Sequence, residues 1–244
     1  MYQPHVFALT DDGYRGPAPS WNAGAPSVWL VDTEQAAGSA RSLAPRVLDA
    51  SELARTEKLV FRADRDCYTA AHVALRLLLG ALQGVAPDAV RLTRERCPSC
   101  DGPHGRPATG GGVHFSLSHT RGVALLAFAD VPVGVDVERL PEARVVAEVA
   151  GQLHPVEAAE LAALPQEGRP AAFARVWTRK EAYLKGEGVG LAGGLGREHV
   201  GTGPHPLDPP GWAVTDVAVP AGYAAAVAVA TAGRAPAAVH ERRK

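Results

Sequence analysis

Two short segments carry most of the chemistry this sequence can offer. Gly134-Val-Asp-Val-Glu138 alternates apolar and acidic residues, and Trp177-Thr-Arg-Lys-Glu-Ala-Tyr-Leu-Lys185 repeats functional side chains at every fourth position. In an extended strand successive side chains face opposite sides, so Val133, Val135 and Val137 can bury together while Asp136 and Glu138 project from the other face. In a helix, Trp177, Glu181 and Lys185 at i, i+4 and i+8 share one side. Hard divalent cations take oxygen ligands, and Mg²⁺ binds one or two carboxylates together with substrate phosphate while keeping several waters. Asp136 and Glu138, completed by Glu181 and with Lys185 one turn beyond, therefore read as a cation site for metal-assisted phosphoryl chemistry. Taken singly, each segment has an ordinary alternative: an Asp-x-Glu strand end is common, and a Glu/Lys pair four apart is usually a solvated helix face.

Together with Gly188-Val-Gly-Leu191, the two segments closely resemble the paired signatures of 4'-phosphopantetheinyl transferases, of the larger, surfactin-synthetase-activating type. Further segments fit in order from about residue 28 to 229: Val28-Trp-Leu-Val-Asp32, the arginine-rich stretch Phe61 through Leu79, His104-Gly-Arg-Pro107, Phe115-Ser-Leu-Ser-His119 and Gly222-Tyr-Ala-Ala-Ala-Val-Ala-Val229. The resemblance implies Mg²⁺-dependent transfer of the phosphopantetheine arm of coenzyme A to a serine of an acyl or peptidyl carrier protein, releasing adenosine 3',5'-bisphosphate. Mn²⁺ could serve in place of Mg²⁺, and the carrier could belong to fatty-acid, polyketide or non-ribosomal peptide synthesis. The implied fold is α+β, a pseudo-twofold pair of similar subdomains with coenzyme A in the cleft between them. One chain then supplies the whole site, and a monomer is expected.

The same resemblance assigns roles. Asp136, Glu138 and Glu181 correspond to the metal ligands, and Glu181 is also the candidate general base for the carrier serine. Lys185 matches the lysine that stabilises charge on the transferring phosphate, and Lys180 precedes the glutamate within the signature, where it is expected at the cofactor. Ser118 and His119 resemble the pair that contacts the cofactor phosphates. Arg106 stands where the family often has Lys in a Gly-Lys-Pro turn, and Arg can hold a phosphate bidentately. Arg55, Lys58, Arg62 and Arg65 form a basic cluster near the first long helix, with Arg55 and Arg62 the candidates for the adenosine 3'-phosphate. Leu153-His-Pro-Val-Glu157 departs from the family pattern of an aromatic pair before Ser/Thr-Pro-x-Glu, which leaves carrier choice open.

Three rival readings have different signatures. A Ser118–His119 hydrolase dyad is rejected because neighbours on a strand point to opposite faces. The same alternation puts His119 with Phe115 and Leu117, so it reaches a cleft only if the strand ends or twists there. A non-catalytic carrier-binding scaffold would lack an acid or the lysine, and none is missing. An unrelated Mg²⁺-dependent phosphohydrolase would leave Phe115–His119 and the glycine-rich run after Lys185 unexplained.

The chain has 244 residues, 46% hydrophobic and 21% charged, enough for one large or two small domains. A net charge of −1 argues against nucleic acid as a partner. No apolar run approaches the roughly 18–20 residues of a membrane span, and Asp11 and Asp12 stand where a leader would be basic, so a soluble, cytoplasmic protein is expected. Cys67, Cys97 and Cys100 are too few for a disulfide framework. Cys97-Pro-Ser-Cys100-Asp-Gly-Pro-His104 resembles a zinc half-site, but a closed structural site needs a fourth ligand, and a plain turn is the competing reading.

Periodicity predicts helices over 49–60, with Ser51 at its N-cap, and over 64–82, with Cys67, Ala71, Ala74, Leu75 and Leu78 as its apolar stripe and Arg65 and Arg76 off it. Helices are also predicted over 155–164 and 170–185, followed by a glycine-rich loop over 186–196. Strands are expected at 28–32, 113–118, 122–129, 132–138, 212–219 and 222–230. Segregated strands and helices give an α+β class. The first subdomain is placed at 1–130, with 1–25 a loose lead-in, and the second at 131–244, with 234–244 a mobile tail.

Overall fold

A computed structural model describes residues 1–22, 24–190 and 194–231, so the tail 234–244 and part of the 186–196 loop lie outside the described residues. The elements run β1 (His5–Phe7), β2 (Ser27–Asp32), α1 (Thr33–Val47), α2 (Ala50–Lys58), α3 (Arg62–Gln83), β3 (Thr93–Arg94), β4 (Pro107–Ala108) and β5 (His114–Thr120). They continue β6 (Val123–Ala129), β7 (Val133–Arg139), α4 (Ala143–Val149), α5 (Pro155–Ala163), α6 (Arg169–Glu187), β8 (Trp212–Asp216) and β9 (Tyr223–Ala230). The class is α+β: a sheet ordered β1-β2-β6-β5, a sheet ordered β7-β9-β8, and the small β3–β4 hairpin.

Burial explains the layering. Every residue of β6, Val-Ala-Leu-Leu-Ala-Phe-Ala, is buried because both faces of the strand are covered. Ala124, Leu126 and Phe128 join Ala40, Leu43, Ala70, Val73 and Leu78 of α1 and α3 in one core. Leu125, Ala127 and Ala129 join Val133, Val135, Val137, Val227 and Val229 of the second sheet in another. The other side of that sheet carries α6, through Ala182, Leu184, Ala226 and Ala228. The order of layers is therefore α1 with α3, four-stranded sheet, three-stranded sheet, α6.

The two sheets are joined at β5 and β7 by serine side chains. Val135 N–H donates to Ser116 Oγ at 3.1 Å, and Ser118 Oγ donates to Asp136 Oδ1 at 2.7 Å. The alternation read from the sequence holds on β7: its valines face the sheet-to-sheet core, and Asp136 and Glu138 face α6.

Three sequence expectations are corrected, and one helix lacked a sequence signal. Residues 1–25 are not a free arm: β1 pairs parallel with β2, and Tyr2 exchanges backbone hydrogen bonds with Asp216 and Ala218. Asp49, not Ser51, caps α2, and with Glu52 it forms a capping box. Arg76 does not lie off the buried stripe but is 1% exposed, because Asp49 and Glu52 receive its guanidinium. α1 was hidden by Pro45 and by its small residues, Ala36, Ala37, Ala40 and Ala44, which make a weak apolar stripe yet let it lie close on α3.

Close approach positions α6. A Cβ at Gly134 would stand 2.0 Å from Ala182 O and 2.4 Å from Gly186 N, and one at Gly186 would meet the Trp212 ring at 2.5 Å. Glycine at 134 lets the helix lie directly on β7, and glycine at 186 leaves room for the Trp212 ring of β8 against it. Gly134→Ala is expected to cost about 3 kcal/mol, because the obstacle is backbone and the whole helix must shift. A denaturant midpoint equal to that of the wild type would refute this close-packing account.

Candidate active site

A cleft of about 990 Å³ opens between the two halves. One wall is built by α2 and α3 with Asp49, Ser51, Glu52, His72 and Leu75, and by the β3–β4 hairpin with Thr93, Arg94 and Pro107. The opposite wall is β7 and α6, contributing Asp136, Glu138, Trp177, Glu181 and Lys185. β5 forms the floor with Phe115, Leu117, Ser118 and His119. The helical spacing of Trp177, Glu181 and Lys185 thus brings all three onto the cleft face.

The alternation of β5 is what lets one strand serve both walls. Ser118 points toward the C-terminal half and meets Asp136, whereas His119 faces the N-terminal half, its ring 6.1 Å from Tyr68 in an edge-on arrangement and its Nδ1 3.8 Å from Cys67 Sγ. His119 is not a core histidine: it lies at the end of the strand, exposed into the cleft. The enclosing walls, helped by the charges of His72 and Lys185, disfavour its protonation and push its pKa down to about 4. It is neutral at physiological pH.

At the centre, Asp136 is 1% exposed. Its Oδ1 accepts from Ser118 Oγ at 2.7 Å and from Lys185 Nζ at 2.5 Å, while Oδ2 is buried with no hydrogen-bond partner. Burial first, and then the negative charge of Asp136, push Glu138 up to about 7 and raise Glu181. Three carboxylates therefore share the field of a single lysine, although their oxygens do not all come within 4.8 Å of one another, and one buried oxygen is unsatisfied. Such a set favours an added cation, whose charge would relieve the repulsion and whose coordination would satisfy Asp136 Oδ2.

Comparison with known proteins identifies the family of the chain. Residues 132–210 match the model of the ACPS: 4'-phosphopantetheinyl transferase superfamily. The chain is 32% identical over 222 residues to 4'-phosphopantetheinyl transferase HetI of Nostoc sp., which spans 86% of this chain and 89% of that protein. The chain belongs to the 4'-phosphopantetheinyl transferase superfamily. Shorter similarities join it to 4'-phosphopantetheinyl transferase gsp of Aneurinibacillus migulanus, 33% identical over 36% of this chain and 37% of that protein, and to 4'-phosphopantetheinyl transferase Sfp of Bacillus subtilis, 30% identical over 32% and 35%.

Within this transferase the signature Trp177–Lys185 divides by helix face. Thr178, Arg179 and Lys180 point away from the cleft and are buried. Arg179 grips Asp216 at 2.7 and 2.6 Å, and Lys180 pairs with the wholly buried Glu157 at 2.7 Å and donates to Glu198 O. Glu157 in turn accepts from Val200 N–H at 2.8 Å and His154 N–H at 3.1 Å. Lys180 is thus corrected from a cofactor-binding residue to part of the packing behind the site: helical geometry turns a residue beside Glu181 to another face.

The basic candidates separate similarly. Arg106 donates to Glu95 at 3.0 and 2.6 Å and to Gly186 O at 2.7 Å, so it ties the hairpin to the end of α6 rather than standing free in the cleft. Arg55 and Arg62 are exposed outside the cleft lining, and Arg62 lies 3.5 Å from Asp66. Among the described residues the cleft-lining guanidinium is Arg94, which donates to Gly105 O at 3.1 Å. Neither Arg94 nor His72 stood out in sequence. Arg94 is one of four arginines in the run 91–106 and belongs to a two-residue strand; His72 lies on the polar edge of a long helix, where its 2.9 Å contact with Glu52 has no short-range signature.

Among the described residues, no helix is long and apolar enough to cross a membrane.

Proposed function

We propose that this cleft transfers the 4'-phosphopantetheine arm of coenzyme A to a serine of an acyl or peptidyl carrier protein, with Mg²⁺ held by Asp136, Glu138 and Glu181. The observation that carries the reading is the buried, unpartnered Asp136 Oδ2 beside two carboxylates of raised pKa, on a wall that also presents Lys185. When bound, the cation supplies neutralisation of pyrophosphate charge and a fixed position for it. Mn²⁺, with its similar preference for oxygen ligands, could fill the same place.

The chain's own groups then divide the work. The carrier serine oxygen attacks the phosphorus of the arm, and the pyrophosphate P–O bond breaks to leave adenosine 3',5'-bisphosphate. Glu181 takes the serine proton, its raised pKa making it a stronger base than an ordinary carboxylate. A carboxylate cannot be a strong base and a tight metal ligand at once, so Glu181 serves the proton best when Asp136 and Glu138 carry most of the coordination. Lys185 reaches Ser118 Oγ at 3.0 Å as well as Asp136, and from there can turn one N–H toward a phosphate oxygen. Neutral His119 offers a ring N–H to the same substrate, and the Trp177 ring offers an apolar wall beside the acids.

The test is intact-protein mass spectrometry of apo carrier proteins from fatty-acid, polyketide and non-ribosomal peptide systems, incubated with coenzyme A and Mg²⁺. The expected result is a gain of one phosphopantetheinyl group that disappears with chelator. Protons compete with the metal for Glu138 and Glu181, so the half-saturating Mg²⁺ concentration should fall as the pH is raised from about 6 to 8. No gain on any carrier would overturn the transfer reading, and a pH-independent metal requirement would remove these two acids from the metal site.

A further inference from the structure

One cluster of reactive side chains is unused by this reaction. Cys97, Cys100 and His104 lie in the loop between β3 and β4, and their sulfur and nitrogen atoms all fall within 4.8 Å of one another, the one such trio of metal-ligating groups among the described residues. Cys100 Sγ and His104 Nε2 are 2.9 Å apart. The loop is folded around Cys97. Its N–H donates to Gly102 O and its carbonyl accepts from Asp101 N–H, both at 2.8 Å. Gly102 keeps the space between the donors open: a Cβ there would stand 3.0 Å from the His104 ring and 3.3 Å from Cys100 Sγ.

We propose that Cys97 Sγ, Cys100 Sγ and His104 Nε2 bind one zinc ion, with water at the fourth position, and that this ion pins the hairpin wall of the cleft. Two thiolates and an imidazole suit zinc and not the hard cation proposed for the acidic centre. Both thiols release their protons on binding. Zn–S and Zn–N bonds of ordinary length at a tetrahedral angle put sulfur and nitrogen roughly 3.6 Å apart, so the Cys100–His104 pair needs to open by only about 0.7 Å. Cys100 and His104 are exposed, and no fourth Cys, His, Asp or Glu joins them among the described residues, so the remaining vertex faces solvent.

The placement gives the ion a task. β3 and β4 have two residues each, too short to hold a hairpin firmly by their own ladder, yet Thr93, Arg94, Pro103 and Pro107 on this hairpin form part of the cleft wall. A metal crosslink at the tip substitutes for the burial the hairpin lacks.

Zinc content of the protein purified from zinc-supplied cells without chelator is expected at one ion per chain. Co²⁺ added to the chelator-treated protein should give the charge-transfer absorption of thiolate ligation. Cys100→Ser and His104→Asn should each abolish both signals. Because both side chains are exposed, the variants should melt at the lowered temperature of the metal-free wild type and not below it. Sub-stoichiometric zinc, absence of the thiolate band, a metal-free Cys97–Cys100 disulfide, or wild-type metal content in the variants would each overturn the proposal. These readouts need no turnover, so they stand or fall apart from the transferase reading. With Mg²⁺ saturating, Cys100→Ser is further expected to raise KM for coenzyme A while leaving kcat near that of the wild type; unchanged KM would remove the hairpin's role while leaving the metal site.

Discussion

Glu181→Gln is expected to lower carrier modification by at least about 10³-fold while leaving the protein folded. The substitution removes the only group on this face of α6 placed to accept the serine proton, and it weakens the third carboxylate of the cation site. Its effect on stability should have the opposite sign. The Glu181 and Glu138 carboxyls have raised pKa values, so the folded, metal-free protein holds protons that the unfolded chain has released, and its stability falls as pH rises through the window from about 4.5 to about 7. Glutamine removes one of these charges, so metal-free Glu181→Gln should melt at or slightly above the wild-type temperature at pH 8. The amide oxygen can still ligate a metal. Activity restored by raised Mg²⁺ would therefore assign Glu181 to coordination, whereas a defect that persists and loses the acidic limb of the pH–rate profile would assign it to proton transfer. Turnover within tenfold of wild type would remove it from the mechanism.

Lys180→Met is expected to do the reverse: a large loss of stability. Glu157 has no exposed surface, and Lys180 is its cationic partner at 2.7 Å. Removing one member of such a pair leaves an unpaired buried charge, at a cost of about 3–5 kcal/mol. For a chain of this size the melting temperature should fall by on the order of 10 °C. Adding Glu157→Gln removes the orphaned charge and should recover part of the loss, an outcome that simple damage to the fold would not give. If Lys180 instead contacted coenzyme A, Lys180→Met would raise KM and leave the melting curve in place. Two neighbours in one signature, Lys180 and Glu181, thus have separable effects because the helix turns them to different sides.

Short-range periodicity was the legible part of this fold. Strand alternation fixed the sides of Val133, Val135, Val137, Asp136 and Glu138, and the four-residue spacing of Trp177, Glu181 and Lys185 fixed a common helix face; both hold in the structure. The same rules missed α1, whose alanines make a faint stripe, and misplaced Arg76, because a periodic pattern scores an arginine as solvent-facing whatever partners await it. They also missed β1, three residues stabilised by pairing with β2 and by Tyr2 reaching Asp216 across the chain.

The sequence by itself determined that two acids would share one strand face, that a third would share a helix face with a lysine, and, through the resemblance of its motifs, which family the chain belongs to. Only the tertiary structure decided that the two faces meet. That meeting depends on backbone at Gly134 and Gly186 approaching closer than any side chain permits, and on Ser118 bridging from a different sheet to Asp136. It decided equally that Arg106 and Lys180 are held by Glu95 and Glu157 while Arg94 lines the cleft. A charged side chain's task is set by the partner that neutralises it, and those partners lie 11, 23 or more residues away, beyond the reach of any local pattern.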